Sequence, residues 1–125
     1  MITNFEEITK PLTQAEIEIV NILIDILNRT NKKNPIKAPQ LVELIILESS
    51  IKKFGQARLR KIINYLRGNG ILPIIATSKG YYLSNETTII EGEIKSLNER
   101  ADAIRFASHG LKRFLVKSEQ LKLVL

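Results

Sequence analysis

Residues 58–83 read RLRKIINYLRGNGILPIIATSKGYYL, and this stretch decides which fold the chain adopts. Its first half carries four apolar residues at intervals of three and four, which predicts a helix with one buried face. They are Leu59, Ile62, Ile63 and Leu66. Gly68-Asn69-Gly70 ends that helix, because glycine and asparagine tolerate a positive φ. Two apolar runs follow, 71–76 and 81–84, and the short glycine-containing turn between them predicts a β-hairpin. Because Pro73 has no backbone N–H, its strand is expected at an edge or only partly paired.

Two shorter helices are predicted before this stretch. Thr13 and Glu16 form a T-x-x-E capping box, which marks the start of the first helix. The apolar residues that follow cover well over half of its circumference, so burial on more than one side is expected. The residues around Pro35 are expected to be extended. Pro39 suits the first turn of the second helix, which is expected to end near Glu48.

The predicted order is helix, extended segment, helix, turn, helix, hairpin and helix, which is the layout of a winged helix-turn-helix domain. Residues 58–67, followed by 70–74 and 79–83, resemble the recognition helix and wing of biotin-repressor-type winged-helix domains. In that family a glycine, a short strand and a returning Gly-Tyr-x-Leu strand follow the recognition helix. Residues 35–84 also resemble small phage- and prophage-encoded winged-helix proteins. The resemblance covers residues 12–84 and implies a mainly α fold with a small β-hairpin (α+β) and DNA binding. No biotin-related activity is carried over from that family.

The charge of the chain is concentrated in one segment. Residues 1–48 carry 5 basic and 7 acidic side chains, residues 49–85 carry 7 and 0, and residues 86–125 carry 7 and 6, which together give the net charge of +6. A segment without acidic residues attracts polyanions, and nucleic acid is the first candidate. A merely solubilising surface is the alternative, but the helix on which these charges lie favours DNA.

A recognition helix reads base edges in the major groove with the face opposite its core side. The residues expected on that face or at the start of the helix are Gln56, Ala57, Arg60, Lys61 and Asn64. Basic residues on the flanks, before the helix and at the hairpin tip are better placed for phosphates. These are Lys52, Lys53, Arg58, Arg67 and Lys79. Double-stranded DNA is therefore the expected partner, with single-stranded DNA an open alternative, and the tyrosines near the hairpin are expected to pack rather than to stack on bases.

The residues after 85 predict one long helix with a heptad seam. The members of the seam alternate at spacings of four and three: Ile90, Ile94, Leu97, Ala101, Ile104, Ser108, Leu111 and Leu115. Such a seam needs a partner surface, so this helix is expected either to form a homodimer or to fold back on the first helix. Gly92 and Gly110 each weaken a helix by about 1 kcal/mol relative to alanine, and His109-Gly110 is expected to be its end or a bend. The expected domains are a winged helix over 1–85 and a dimerisation helix over 86–125.

Several classes of function find no support in the sequence. There is no cysteine, which excludes disulfides and thiolate metal sites, and the single histidine, His109, has no catalytic partner nearby in the sequence. No glycine-rich phosphate loop, nucleophile elbow or metal-ligand spacing appears, so no enzyme activity, cofactor or small-molecule ligand is expected. Neither a secretory signal nor an apolar run of about 18 residues is present, which predicts a soluble, cytoplasmic, nucleoid-associated protein without membrane contact.

The sequence thus predicts a DNA-binding protein that places helix 55–68 in the major groove and uses hairpin 71–84 as a wing. Its expected role is regulation of transcription or replication on a phage or mobile element. The alternative is a winged-helix adaptor that binds other proteins and no DNA. The acid-free segment 49–85 discriminates between the two, because an adaptor does not need it.

Overall fold

A computed structural model describes residues 11–124 of the protein. It contains the helices α1 (Gln14–Leu27), α2 (Ala38–Glu48), α3 (Gln56–Gly68) and α4 (Thr87–Val124), and the strands β1 (Ile74–Thr77) and β2 (Gly80–Leu83). The two strands form one antiparallel hairpin. The predicted fold class, mainly α with a small β-hairpin and a long C-terminal helix, is confirmed. None of the helices in the described part of the chain is long and apolar enough to cross a membrane.

The first helix begins at the predicted capping box. The Thr13 hydroxyl accepts the backbone N–H of Glu16 at 3.3 Å, and a Glu16 carboxylate oxygen accepts the backbone N–H of Thr13 at 2.9 Å. These bonds satisfy two of the backbone groups that a helix start leaves without partners. A smaller part of the α1 surface is buried than its composition predicted, because Ile22 and Ile24 are only half-buried and Ile17 is 49% exposed.

The core of the N-terminal part lies between α1, α2, α3 and β1. Its buried members are Ile19, Leu23, Ile26, Leu27, Leu41, Ile45, Phe54, Leu59, Ile62, Ile63, Leu66 and Ile74. Burying one such aliphatic side chain stabilises the fold by roughly 1.5–3 kcal/mol. The four apolar residues that predicted α3 are all in this set, so the face of α3 that packs inward is the one the sequence indicated.

The ends of α2 and α3 follow their local sequence signals. Pro39 lies in the first turn of α2. A backbone N–H at this position would have no acceptor within the helix, so proline disrupts no hydrogen bond there. Gly55 precedes α3, and Asn69 ends it with its side-chain amide donating to the Tyr65 carbonyl at 2.8 Å. Gly70 then adopts φ +65°, a backbone conformation that glycine reaches without strain. These features hold the chain as it leaves α3 for the hairpin.

The hairpin is shorter than predicted at its start, because β1 begins at Ile74 and not at Ile71. The N–H groups of Ile71 and Leu72 bond to the Leu66 carbonyl at the end of α3, and Pro73 has no N–H to give. On the other side of β2, Ile36 and Tyr81 exchange two backbone hydrogen bonds of 2.9 and 2.8 Å. The extended segment before α2 is therefore joined to the hairpin as a one-residue third strand.

Close packing at this junction requires glycine at position 80. Gly80 has φ +131°, and a Cβ there would lie 2.6 Å from the Ile36 carbonyl carbon and 2.9 Å from the Lys37 nitrogen. Any other residue would force the extended segment away from the hairpin.

The last helix, α4, covers nearly all of the predicted range 86–125. It begins at Thr87, just after the Ser84 hydroxyl has accepted the backbone N–H of Glu86 at 3.2 Å, and it continues through Gly110 to Val124. The helix does not end at His109-Gly110, which was one of the two outcomes expected there, because the cost of one glycine is small against the rest of a 38-residue helix. The chain separates into two compact units with their boundary between Ile90 and Glu91.

Candidate nucleic-acid interface

One side of α3 presents a stripe of exposed polar side chains. Gln56, Arg60 and Asn64 are four residues apart, so they lie one above the other on the same side of the helix. At 1.5 Å per residue the stripe is about 12 Å long. Its three side chains offer both donors and acceptors, and all three are exposed. The arrangement can hydrogen-bond to a polar surface that lies along the helix.

Lys61 does not belong to this stripe. The helical period predicted it on the face opposite the core, but its side chain is only 12% exposed and its Nζ lies 2.6 Å from a carboxylate oxygen of Glu16 on α1. The predicted placement of Lys61 beside Arg60 and Asn64 is therefore wrong. The first turn of α1 covers this side of α3, and the exposed face is turned toward Gln56.

Arg58 is also engaged within the fold. Its Nε lies 3.2 Å from the second carboxylate oxygen of Glu16, and its Nη1 donates to the Lys53 carbonyl at 2.5 Å. The guanidinium carbon lies 5.9 Å from the centre of the Phe54 ring, within the range of a cation–π contact. Arg58 thus ties α3 to α1 and to the turn before α3. A phosphate contact by Arg58 stays a prediction, and two of its guanidinium nitrogens already have partners within the fold.

Glu16 is the acidic centre of this arrangement. The residue is 2% exposed, and burial alone would raise its pKa. Hydrogen bonds from Lys61, from the Thr13 N–H and from Arg58 outweigh burial and lower the pKa of Glu16 from 4.5 to about 2. The carboxylate is therefore ionised at neutral pH, and it neutralises part of the positive charge of Arg58 and Lys61. A buried carboxylate with three donors is well compensated.

The sequence analysis missed this role of Glu16, although one signal for it was present. Glu16 precedes Ile19 by three residues and Leu23 by seven, so it lies on the same face of α1 as the core. A glutamate on a core face needs a cation, and the nearest candidates in space come from α3. The segment 49–85 is free of acidic residues in sequence but is not free of acidic neighbours in the fold.

The remaining predicted residues differ in exposure. Four basic residues of the segment 49–85 are exposed: Lys52, Lys53, Arg60 and Lys79. Arg67 and Ala57 are half-buried. Lys79 lies in the hairpin turn, where its backbone N–H donates to the Thr77 hydroxyl at 3.2 Å. The turn thus holds this lysine at the far end of the hairpin from the core.

Lys37 is a further exposed cation next to the hairpin. It lines a shallow recess together with Thr77, Ser78 and Gly80, because the bridge between Ile36 and Tyr81 brings this segment to the strands. The sequence analysis did not select Lys37, since it lies outside the acid-free segment. No local pattern in the sequence signals the pairing that brings it there.

Two of the three tyrosines, Tyr81 and Tyr82, serve the packing of this unit. Tyr82 is 5% exposed and Tyr81 packs half-buried against the core, so neither offers an open ring to a base. Tyr65 on α3 is 38% exposed. The packing role predicted for Tyr81 and Tyr82 agrees with their burial.

The second unit consists of the rest of α4, and its predicted seam is exposed. Ile94, Leu97, Ile104, Leu111 and Leu115 are between 38% and 70% exposed. Ser108 is exposed as well, and Ala101 is half-buried. Phe114 and Leu121 widen this apolar face beyond the predicted seam. So large an exposed apolar surface is unusual for a protein that works alone.

Within residues 11–124, no three side chains from histidine, cysteine, aspartate and glutamate come together in a way that could hold a metal ion. No family model, no curated protein and no solved structure matches this chain.

Proposed function

We propose that the protein is a winged-helix DNA-binding protein that inserts α3 into the major groove and uses the hairpin of β1 and β2 as its wing. The observation that carries this proposal is the exposed stripe of Gln56, Arg60 and Asn64 on α3. The major groove is wide enough for an α-helix, and it displays the donors and acceptors that such side chains read.

The three residues of the stripe have distinct preferences for base edges. Arg60 suits the O6 and N7 acceptors of guanine, and the amides of Gln56 and Asn64 suit the N6 and N7 groups of adenine. No acidic side chain belongs to the segment 49–85, so none of its own residues opposes the phosphates. Lys52 and Lys53 contact the backbone before α3 in this proposal.

The wing supplies the second set of backbone contacts. Lys79 at the hairpin tip reaches a phosphate or the minor groove, and Lys37 adds a cation beside it. Arg58 and Lys61 act indirectly, because their bonds to Glu16 fix the position of α3 on α1. The proposed surface therefore has one reading helix and two groups of phosphate contacts.

Two copies of the chain associate through α4 in this proposal. Burying a leucine-sized side chain is worth roughly 1.5–3 kcal/mol, so the exposed seam favours association. A dimer would present two α3 helices to related half-sites. Regulation of transcription or of replication, on a phage or mobile element, is the role that fits such a dimer.

A salt titration of DNA binding tests the proposal. Fluorescence anisotropy with labelled random duplex and single-stranded oligonucleotides gives the affinity at each salt concentration. Four exposed lysines per chain are proposed to contact phosphates, and they predict a log–log slope of about −3.6 on duplex DNA, at about −0.9 per neutralised phosphate. They are Lys37, Lys52, Lys53 and Lys79. Lys117→Ala is the control and should keep the salt slope of the unmodified chain, because it removes an exposed charge of α4 outside the proposed surface. A slope near zero, or no binding at low salt, would reject DNA binding and favour the protein-interaction adaptor.

A further inference from the structure

The charges of α4 are distributed unevenly along its length. Residues 86–102 carry five acidic and two basic side chains, a balance of −3, whereas residues 103–125 carry one acidic and five basic side chains, a balance of +4. The helix is therefore negative at its start and positive toward its end. Two such helices side by side in the same direction place like charge on like charge over their whole length. In opposite directions, each negative half faces a positive half.

We propose that α4 pairs with the same helix of a second copy in antiparallel orientation, in the register centred between Asp102 and Ala103. This inference rests on the homodimer of the proposed function and specifies its geometry. In this register every seam position of one helix meets a seam position of the other, as the packing of an antiparallel coiled coil requires. The two-fold symmetry makes each contact occur twice.

The sizes of the seam residues fit this register. Ala101 meets the partner's Ile104, and Leu97 meets the partner's Ser108, so each small side chain faces a large one. Ile94 meets the partner's Leu111. A parallel pair would instead stack Ala101 on the partner's Ala101 and Ser108 on the partner's Ser108, leaving two underfilled layers in the seam.

The charged residues beside the seam also favour the antiparallel pair. Glu91 lies next to the partner's Lys112 in the proposed register, and symmetry gives this attractive contact twice. A parallel pair brings Arg100 next to the partner's Arg105 at both flanks, which is repulsive. Asp102 pairs with Arg105 along the helix at 2.5 Å and offsets only part of this repulsion.

The orientation determines where the two N-terminal units are attached. At 1.5 Å per residue, the two copies of Thr87 lie about 46 Å apart along the axis of an antiparallel pair, and side by side in a parallel pair. The antiparallel dimer therefore separates the two points at which the N-terminal units are attached.

Single cysteines can distinguish the orientations, because the chain has none of its own. A disulfide needs the two Cα atoms within about 7 Å of each other. In the antiparallel pair, two copies of residue 108 lie about 16 Å apart along the axis, and so do two copies of residue 97. Ser108→Cys and Leu97→Cys proteins should therefore form few disulfide dimers alone, and should form the mixed dimer readily when combined and oxidised.

The results of these experiments distinguish a failure of the antiparallel register from a failure of the proposed DNA binding. Circular dichroism of both variants verifies that the helices are intact before oxidation. Efficient self-linking of Ser108→Cys, or equal self-linking and mixed linking, would overturn the antiparallel register. A monomer of the unmodified chain in sedimentation at micromolar concentration would overturn it as well. In that case a steep salt slope on duplex DNA would still support the proposed function, since that slope arises from the N-terminal unit.

Discussion

Replacing the buried carboxylate of Glu16 by an amide should destabilise the N-terminal unit at neutral pH. Glu16→Gln keeps the size of the side chain but leaves Arg58 and Lys61 without their anion. The pKa of Glu16 falls from 4.5 to about 2 on folding. At 1.36 kcal/mol per pKa unit, the ionised carboxylate contributes about 3 kcal/mol at pH 7. This agrees with the roughly 3–5 kcal/mol that breaking a buried ion pair costs.

The pH dependence of this effect has a definite sign. Because folding lowers the pKa of Glu16, its contribution is fully present above about pH 4.5 and is lost as the pH falls through about 2. Glu16→Gln has no carboxylate to protonate at this position. The difference in the free energy of unfolding between the two proteins should therefore be largest at pH 6–7 and should shrink steadily below pH 4.5.

Urea unfolding followed by tyrosine fluorescence measures this difference. All three tyrosines, at 65, 81 and 82, lie in the N-terminal unit, so the signal reports on that unit and not on α4. Glu18→Gln is the matched control, since Glu18 lies on the same helix and is exposed. The electrostatic argument is refuted if Glu16→Gln changes the free energy by less than about 0.5 kcal/mol at pH 7, the size of an ordinary surface substitution. A difference that stays constant down to pH 2 would refute it too.

Five other substitutions have defined outcomes. In DNA-binding titrations, Arg60→Ala should reduce the binding free energy on a preferred site by about 1–3 kcal/mol and relax the base preference. Lys79→Ala should weaken binding to all DNA sequences alike and flatten the salt slope. The reverse pattern would mean that the reading helix and the wing are misassigned. Gly80→Ala should lower the free energy of unfolding in urea by at least about 2 kcal/mol, because of the positive φ of Gly80 and the nearby Ile36 carbonyl. Gly68→Ala is the control and should not destabilise the protein, because a Cβ at position 68 meets no atom within 4 Å. Leu97→Glu places a charge in the seam and should give folded monomers in sedimentation with much weaker affinity for paired half-sites; a dimer that persists would move the interface elsewhere.

Local signals in the sequence were sufficient to predict the helices and the hairpin. The capping box at Thr13, the proline in the first turn of α2 and the glycine after α3 each act within a few residues of the chain. For that reason the helix starts and the buried face of α3 were predicted correctly. The continuation of α4 past His109-Gly110 was left open, because a glycine lowers helix stability by only about 1 kcal/mol and the remaining turns decide whether the helix continues.

The candidate site depended on contacts that no local pattern contains. Lys61 and Arg58 are 45 and 42 residues from Glu16 in the chain, and the helical period of α3 alone cannot tell which neighbouring helix crosses it. The joining of Ile36 to Tyr81 likewise arises from pairing across the fold. Gln56, Arg60 and Asn64 kept their predicted exposure because, within residues 11–90, no side chain covers that side of α3.

The position of Glu16 in the first turn of α1 has a consequence for local unfolding. The same carboxylate closes the capping box at Thr13 and holds Arg58 and Lys61 of α3. Fraying of the first turn of α1 therefore releases both cations, and α3 loosens in the same step. Because local openings are cooperative, we expect the hydrogen-bonded amides in the second turns of α1 and α3 to exchange with solvent together. The mobility of α3, the helix proposed to enter the groove, is thereby linked to the stability of the first turn of α1.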